Sequence, residues 1–365
     1  MSVHYVTRPW ENRLFRRCRR AWDLGARERQ NYESVEPMRV FDLDEAMRDA
    51  LEVYYFPGMW GWNRAIVRPL AVQAFQKSMR KQRATYAQHR ELSPEQEREW
   101  DEHLELGTGM LERYFGWAPQ IDRFQPLQVA TQFDITVPDP RNPDTGLTTP
   151  DGRGIQYRLR IDMVVMDEHE LCWLAEHRIV AGPAWQDIDQ LLLDEQSLTR
   201  SWGWQLGFLA RLEGTIHNEL RVDVSAGVPD GQDPAVDEPE VRALPGPNGI
   251  ITQHCSEFFR RTQIPRSALE LEQRGHAVAL EVQDMTDPTL RLYPNPSVEH
   301  CPGCVYRRPC VAMTQGFDEQ PILEASYRKR VSEDFELGRL GSSWGFVPAT
   351  SRVAEHRGPS QGRGG

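Results

Sequence analysis

Lysine is almost missing from this chain. Its only lysines are Lys77, Lys81 and Lys329, so 40 of its 43 basic residues are arginine. Between Lys81 and Lys329, chemistry that needs an ε-amino group has no donor in the local sequence. Long apolar runs are also absent: no 18 consecutive apolar residues occur, which leaves no candidate membrane-spanning helix. The opening "MSVHYVTRPWENRLFRRCRRAW" has no apolar stretch of the kind a secretory signal requires. A soluble, cytoplasmic protein without a membrane partner is expected. Six cysteines in 365 residues are too sparse for a secreted disulfide scaffold. Net positive charge is absent too, at −11, which argues against indiscriminate nucleic-acid binding by the chain as a whole.

What is present is an ordinary globular balance, 39% hydrophobic and 27% charged, on a chain long enough for a sizeable core. Locally the charge reverses: residues 8–29 hold eight arginines against three acids. Residues 8–30 have helical spacing, with Leu14, Cys18 and Trp22 on one face. Further helices are predicted over 42–56, 63–85 and 94–117. Alternation then predicts strands in "PLQVATQFDITVP", "IQYRLRIDMVVMD" and "LCWLAEHRIV". A helix from about Asp187 to Leu212 and the strand "TIHNELRVDV" follow. Within that helix Trp202, Trp204, Phe208 and Leu209 are expected to pack the core. Residues 226–249 are rich in Pro, Asp and Gly and predict a long loop or insertion, and the tail from Gly341 predicts disorder. The expectation is one domain over 1–340: a helical part at 8–118, a β-β-β-α-β core at 119–225 and a closing segment at 250–318. The fold class is α/β, with a mixed sheet of at least four strands.

The closing segment contains "HCPGCVYRRPC", which sets Cys301, Cys304 and Cys310 within ten residues. Such spacing in an intracellular chain favours metal over disulfide, but a tetrahedral site needs a fourth ligand. Cys172 sits within a strand, and Cys255 has no second cysteine near it. Cys18, in "FRRCRRAW", would join the two ends of the domain if it completed the set.

Two acids mark the central strands. Asp162 follows "YRLRI" and Glu176 follows "LCWLA", so adjacent antiparallel strands could bring both carboxylates to one end of the sheet. Paired carboxylates suit Mg²⁺ or Mn²⁺, although an acid at a strand end is also common as a solvated group. On the following helix Gln196 and Arg200 lie one turn apart. His177 should point away from both of its neighbours, Glu176 and Arg178.

Taken in order, "CRRAW", the acid after "RLRI", the acid-x-basic strand, the Gln-bearing helix and the final C-x₂-C-x₅-C resemble a family. It is the RecB-type branch of the PD-(D/E)XK nucleases, specifically the iron–sulfur exonucleases of CRISPR spacer acquisition and of bacteriophages. The resemblance covers most of residues 10–318. It implies a restriction-endonuclease-like core and a [4Fe–4S] cluster held by Cys18, Cys301, Cys304 and Cys310, with zinc as the alternative for four thiolates. It also implies Mg²⁺ or Mn²⁺ at Asp162 and Glu176, and a metal-dependent exonuclease acting on single-stranded or frayed DNA ends.

The match departs at three places. Arg48, in "AMRDAL", stands where the family has a metal-binding His. Arg178 replaces the lysine that activates water, and Arg200 replaces the tyrosine four residues after Gln196. Arginine does not release its proton near neutral pH. Two outcomes are open. Either Asp162, Glu176 and Arg178 still support hydrolysis, or Arg48, Gln196 and Arg200 hold a DNA backbone without cutting it, in a binding or recombination or replication assembly protein. In a third, structural reading, Arg178 pairs internally with the two acids.

Overall fold

The computed structural model describes residues 4–182, 185–222 and 239–331. The predicted tail from Gly341 and residues 226–238 of the predicted loop lie outside them. The chain opens with strand β1 (His4–Thr7), then helices α1 (Pro9–Arg17) and α2 (Arg19–Gly25). The single helix expected over 8–30 is therefore two. Cys18 stands between them in extended conformation, φ −164° and ψ 112°, which stops one helix and starts the next. Strand β2 (Tyr32–Ser34) precedes α3 (Leu43–Tyr54), α4 (Arg64–Ala87) and α5 (Pro94–Ile121). Asp42 caps α3 by accepting from the Glu45 amide, and Ser93 with Gln96 closes a capping box on α5.

Next come β3 (Phe124–Val129), β4 (Gln132–Thr136), β5 (Pro138–Asp139), β6 (Asn142–Gly146), β7 (Gly154–Arg160), β8 (Met163–Asp167) and β9 (Cys172–Ala181). Helices α6 (Ile188–Leu192) and α7 (Glu195–Phe208) lead to β10 (Gly214–Val222). Then follow β11 (Glu240–Gly246), β12 (Gly249–Cys255), β13 (Phe259–Pro265), α8 (Ala268–Thr286), α9 (Arg307–Gln315), α10 (Gln320–Ser326) and β14 (Tyr327–Lys329).

Seven strands form one mixed sheet in the order β11-β12-β13-β10-β9-β8-β3. Within it β3, β8 and β9 run as an antiparallel meander, and β10 lies parallel to β9 after the α6–α7 crossover. Three differences from the sequence reading have local causes. "PLQVATQFDITVP" is not one strand: β3 belongs to the large sheet and β4 to a smaller sheet, β1-β7-β4. The break falls at Ala130, whose φ is +46°. "IQYRLRIDMVVMD" splits likewise into β7 and β8 at Ile161–Asp162. The two breaks face each other, because the Ala130 amide donates to the Asp162 carbonyl and the Ile161 amide to the Thr131 carbonyl. Asp162 thus sits where both strands pass from one sheet to the other. The third difference is that 240–249, expected as loop, forms most of a hairpin closed by the two-residue turn Pro247–Asn248.

The large sheet separates two apolar cores. Met163, Val165, Trp173, Ala175 and Phe259 pack with α3, α4 and α5 on one face. Val164 and Leu174 pack on the other face with the small sheet, α7 and α8. Trp202 and Trp204 are buried in this second core, as expected. Leu209 is not; it takes a left-handed conformation at the C-cap of α7 and is 76% exposed. A smaller cluster joins the chain ends, where Ala21 and Leu24 of α2 meet Tyr306, Leu323 and Tyr327. Strand pair β2–β14 runs beside it. Among the described residues, no helix is long and apolar enough to cross a membrane.

Candidate functional site

Strand alternation aims Leu174, Glu176 and Arg178 of β9 at α7, and Trp173, Ala175 and His177 at the opposite core. Glu176 and Asp162 come together at the end of the sheet, almost fully enclosed, their side chains 1% and 7% exposed. Asp162 accepts from the His177 amide at 3.1 Å. The expected convergence of the two acids is present. Arg200, in the next layer on α7, points its Nη1 at both carboxylates, 3.0 Å from Glu176 Oε1 and 3.9 Å from Asp162 Oδ2. Turned with its oxygen toward this guanidinium, the Gln196 amide accepts from Arg200 at 2.8 and 3.1 Å. The one-turn spacing therefore places Gln196 to orient Arg200.

The other two arginines close the site from either side. Arg178 Nη2 lies 3.4 Å from Glu176 Oε2 and also pairs with Asp194. Arg48, reaching over from α3, pairs with Asp44 at 2.6 Å and places Nε 3.8 Å from Asp162 Oδ2. Arg178 thus pairs with Glu176 but not with Asp162, whose nearest guanidiniums are Arg48 and Arg200. Asp44 and Asp194 escaped the sequence reading. Asp194 had a signal, since it caps α7 by accepting from the Ser197 amide. Asp44 had one as well, its i,i+4 spacing to Arg48, although its place beside the acids depends on where α3 packs.

Four carboxylates therefore surround three guanidiniums. Burial drives both central carboxyls toward protonation. At Asp162 the charges of Arg200 and Arg48 outweigh it and hold the carboxyl below the ordinary range. At Glu176 burial prevails over Arg200, with the Asp162 charge adding to it, and the carboxyl stays above that range. Glu176 Oε1 accepts no hydrogen bond despite its ion pair with Arg200.

Behind β9, His177 belongs to a separate polar network, as alternation requires. Its Nδ1 meets Asn218 Nδ2 at 3.0 Å, and its ring stacks on Tyr55 with centroids 5.7 Å apart. Asn218 also donates to Tyr114 Oη, and Arg261 bonds both tyrosines and pairs with Asp122.

On the α7 side of β10, His217 is fully buried across from Glu176. Burial and the nearby Arg178 charge push its pKa down to about 3. An unfolded histidine gains its proton near pH 6.5, so below that pH the unfolded chain binds more protons and stability falls as pH falls. At pH 5 this histidine contributes about 2 kcal/mol of that loss. His217→Gln is expected to flatten the fall in unfolding temperature between pH 7 and pH 5, and an unchanged slope would refute the assignment.

The cysteines form the second candidate site. Cys18, Cys301, Cys304 and Cys310 all line one mainly apolar cavity of about 330 Å³ between α2, α9 and residues 294–304. The Asn295 amide donates to Cys18 Sγ and the Ser297 amide to Cys301 Sγ, each at 3.4 Å. Arg20 Nη1 approaches Cys310 Sγ at 3.6 Å. Burial pushes the Cys304 thiol up. Cys172 and Cys255 lie elsewhere, on β9 and β12. Among the described residues, no three His, Cys, Asp or Glu side chains are gathered as the ligands of one metal ion. No protein-family model matches the chain, and no curated protein matches it.

Proposed function

We propose that this chain is a DNA-binding protein of PD-(D/E)XK nuclease descent, fastened by an iron–sulfur cluster and no longer equipped to hydrolyse DNA. The observation that carries this reading is Arg200, whose guanidinium reaches both Glu176 and Asp162. With Arg200 there, the two carboxylates do not fit Mg²⁺ or Mn²⁺: its guanidinium already reaches both of them, and a cation placed between them would face direct repulsion from it. Arg178 cannot accept a proton from water in place of a lysine. Of the three lysines, Lys77 and Lys81 belong to α4, where Lys81 influences Glu45, and Lys329 of β14 lies over the Tyr32 ring.

The descent is supported by the order of the elements. The β3-β8-β9 meander, the α7 crossover and the parallel strand β10 follow the β-β-β-α-β order of the resemblance. The cluster is supported by four thiols on one cavity wall with peptide N–H groups aimed at two of the sulfurs. A lone zinc needs its thiolates gathered at about 2.3 Å, whereas a cluster of several atoms fits sulfurs spread around a cavity. Cys18, Cys301, Cys304 and Cys310 would hold it. Its contribution would be to fasten the chain ends together.

DNA is favoured by arginine-lined surface on both sides of the acid pair. Cavities of about 220 and 520 Å³ share Gln196 in their walls, one lined by Arg200 and the other by Arg178 and Arg48 with their partners Asp194 and Asp44. Guanidiniums hold phosphates with paired hydrogen bonds. A recombination or replication protein would be the natural companion of such a binder.

The test is incubation with labelled single-stranded DNA and Mn²⁺. Retention without shortening is expected, with affinity falling steeply as salt rises. Converting Arg48→His, Arg178→Lys and Arg200→Tyr together is expected to restore Mn²⁺-dependent cutting, which Asp162→Ala should then abolish. One observation favours the competing reading, an active nuclease: Asp162 and Glu176 still converge, and both would be open to a metal if Arg200 swung away. Cleavage by the unaltered protein, lost in Asp162→Ala, would establish that alternative. Failure to bind DNA at all would sink both.

A further inference from the structure

The smaller of the two cavities has a composition that internal pairing does not explain. It lies between α1, β7 and α7, and its lining includes Arg13, Arg158, Arg160, Arg200, Gln132 and Gln196 but no carboxylate. Arg158 is paired by two bonds of 2.8 Å to Asp134, and Arg200 faces Glu176. Arg160 is only loosely held, with Glu52 at 3.6 Å and its side chain 53% exposed. Arg13 has no ion pair among the described residues, because the carboxylate that influences it, Glu195, is taken by Arg16. Arg13 is exposed at the cavity mouth, where partial desolvation, together with the charges of Arg200 and Arg16, makes its positive charge harder to hold. Several guanidiniums thus share the wall of a small space that itself carries no carboxylate, and among them Arg13 has no ion pair and Arg160 only a long one.

We propose that this cavity receives the terminal phosphate of a DNA strand, a phosphomonoester held by Arg13 and Arg160. The inference rests on the DNA-binding reading and names the part of the substrate that is recognised. A terminal phosphate carries about −1.5 to −2 charges, against one for an internal phosphodiester, and so matches a multiple-guanidinium site better. The space is smaller than the ~300–1,000 Å³ of sites for drug-sized ligands, and suits a phosphate with its sugar. Arg200 and Gln196 belong to its wall, so a strand end seated here would lead directly to the Asp162–Glu176 pair.

Fluorescence anisotropy on three otherwise identical single-stranded oligonucleotides tests the proposal: 5′-phosphorylated, 3′-phosphorylated, and hydroxyl at both ends. Binding of one phosphorylated form about tenfold tighter than the hydroxyl form is expected, and which form prevails sets the polarity of the bound strand. Arg13→Ala should erase the preference and Arg13→Lys should keep part of it. Arg160→Gln serves if Arg13→Ala does not fold, as judged by its melting curve. Calorimetry with inorganic phosphate is run in parallel. Equal binding of all three oligonucleotides with no heat from phosphate would overturn the site and leave the DNA reading intact. Phosphate binding that Arg13→Ala abolishes, in a protein that ignores DNA, would uphold the anion site and refute the DNA reading.

Discussion

Replacing Cys18 with serine is expected to strip the protein of iron and visible absorbance, and to lower its unfolding temperature by on the order of 10 °C. The reasoning begins with the backbone. Cys18 interrupts two helices and lines the same cavity as the late cysteine trio. A cofactor that binds only the folded state at a thousandfold excess over its dissociation constant stabilises by about 4 kcal/mol, and removing one thiolate in four forfeits that contribution. The loss should stop short of general unfolding, because Tyr306, Leu323 and the β2–β14 pair still join the ends. Cys172→Ser and Cys255→Ser, away from the cavity, should leave iron content unchanged. Full iron in Cys18→Ser would remove the ligand from the set. Stoichiometric zinc in a colourless preparation would keep the fastening but replace its nature.

Arg261→Ala is expected to be as damaging by a different route, at about 3–5 kcal/mol, a large share of the ~5–15 kcal/mol that holds typical domains folded. Arg261 and Asp122 are 6% and 3% exposed as a pair, and Arg261 also bonds Tyr55, Tyr114 and Asn218. Deleting the guanidinium strands a buried carboxylate and removes a donor from two tyrosines. The double variant Asp122→Asn/Arg261→Met should therefore lose less than the two single changes summed, which denaturant midpoints can measure as a coupling. Additive losses, or a single-variant loss under ~1 kcal/mol, would show that the pair is not structurally coupled. The network also reaches His177, whose amide holds Asp162, so the acid site should loosen with it.

The strand alternation around Glu176 and the one-turn spacing of Gln196 and Arg200 were legible in the sequence, because each is a local regularity. So was the late cysteine knuckle. The partners were not. Only the resemblance pointed to Arg48 beside Asp162, because no local regularity fixes where α3 packs. The strand breaks at Ala130 and Asp162 were hidden as well: alternation continues through both, and only the competition between two sheets separates them. The hairpin of β11 and β12 did carry a signal, Asn248–Gly249 between apolar stretches, but the Pro- and Gly-rich surroundings masked it. Cys18 was placed on a helix face because its spacing with Leu14 and Trp22 is helical, although its own backbone is extended.

That extended residue also sets a schedule for the newborn chain. Arg20 and its hydrogen-bond partner Cys310 stand 290 positions apart. At ~5–20 residues per second, the ribosome takes roughly 15–60 s to deliver the second after the first. During that interval Cys18 is a lone thiol with no partner yet made. If the proposed cluster is present, it can be completed only after Cys310 has been made, so its loading would follow the synthesis of both cores and could not seed their folding.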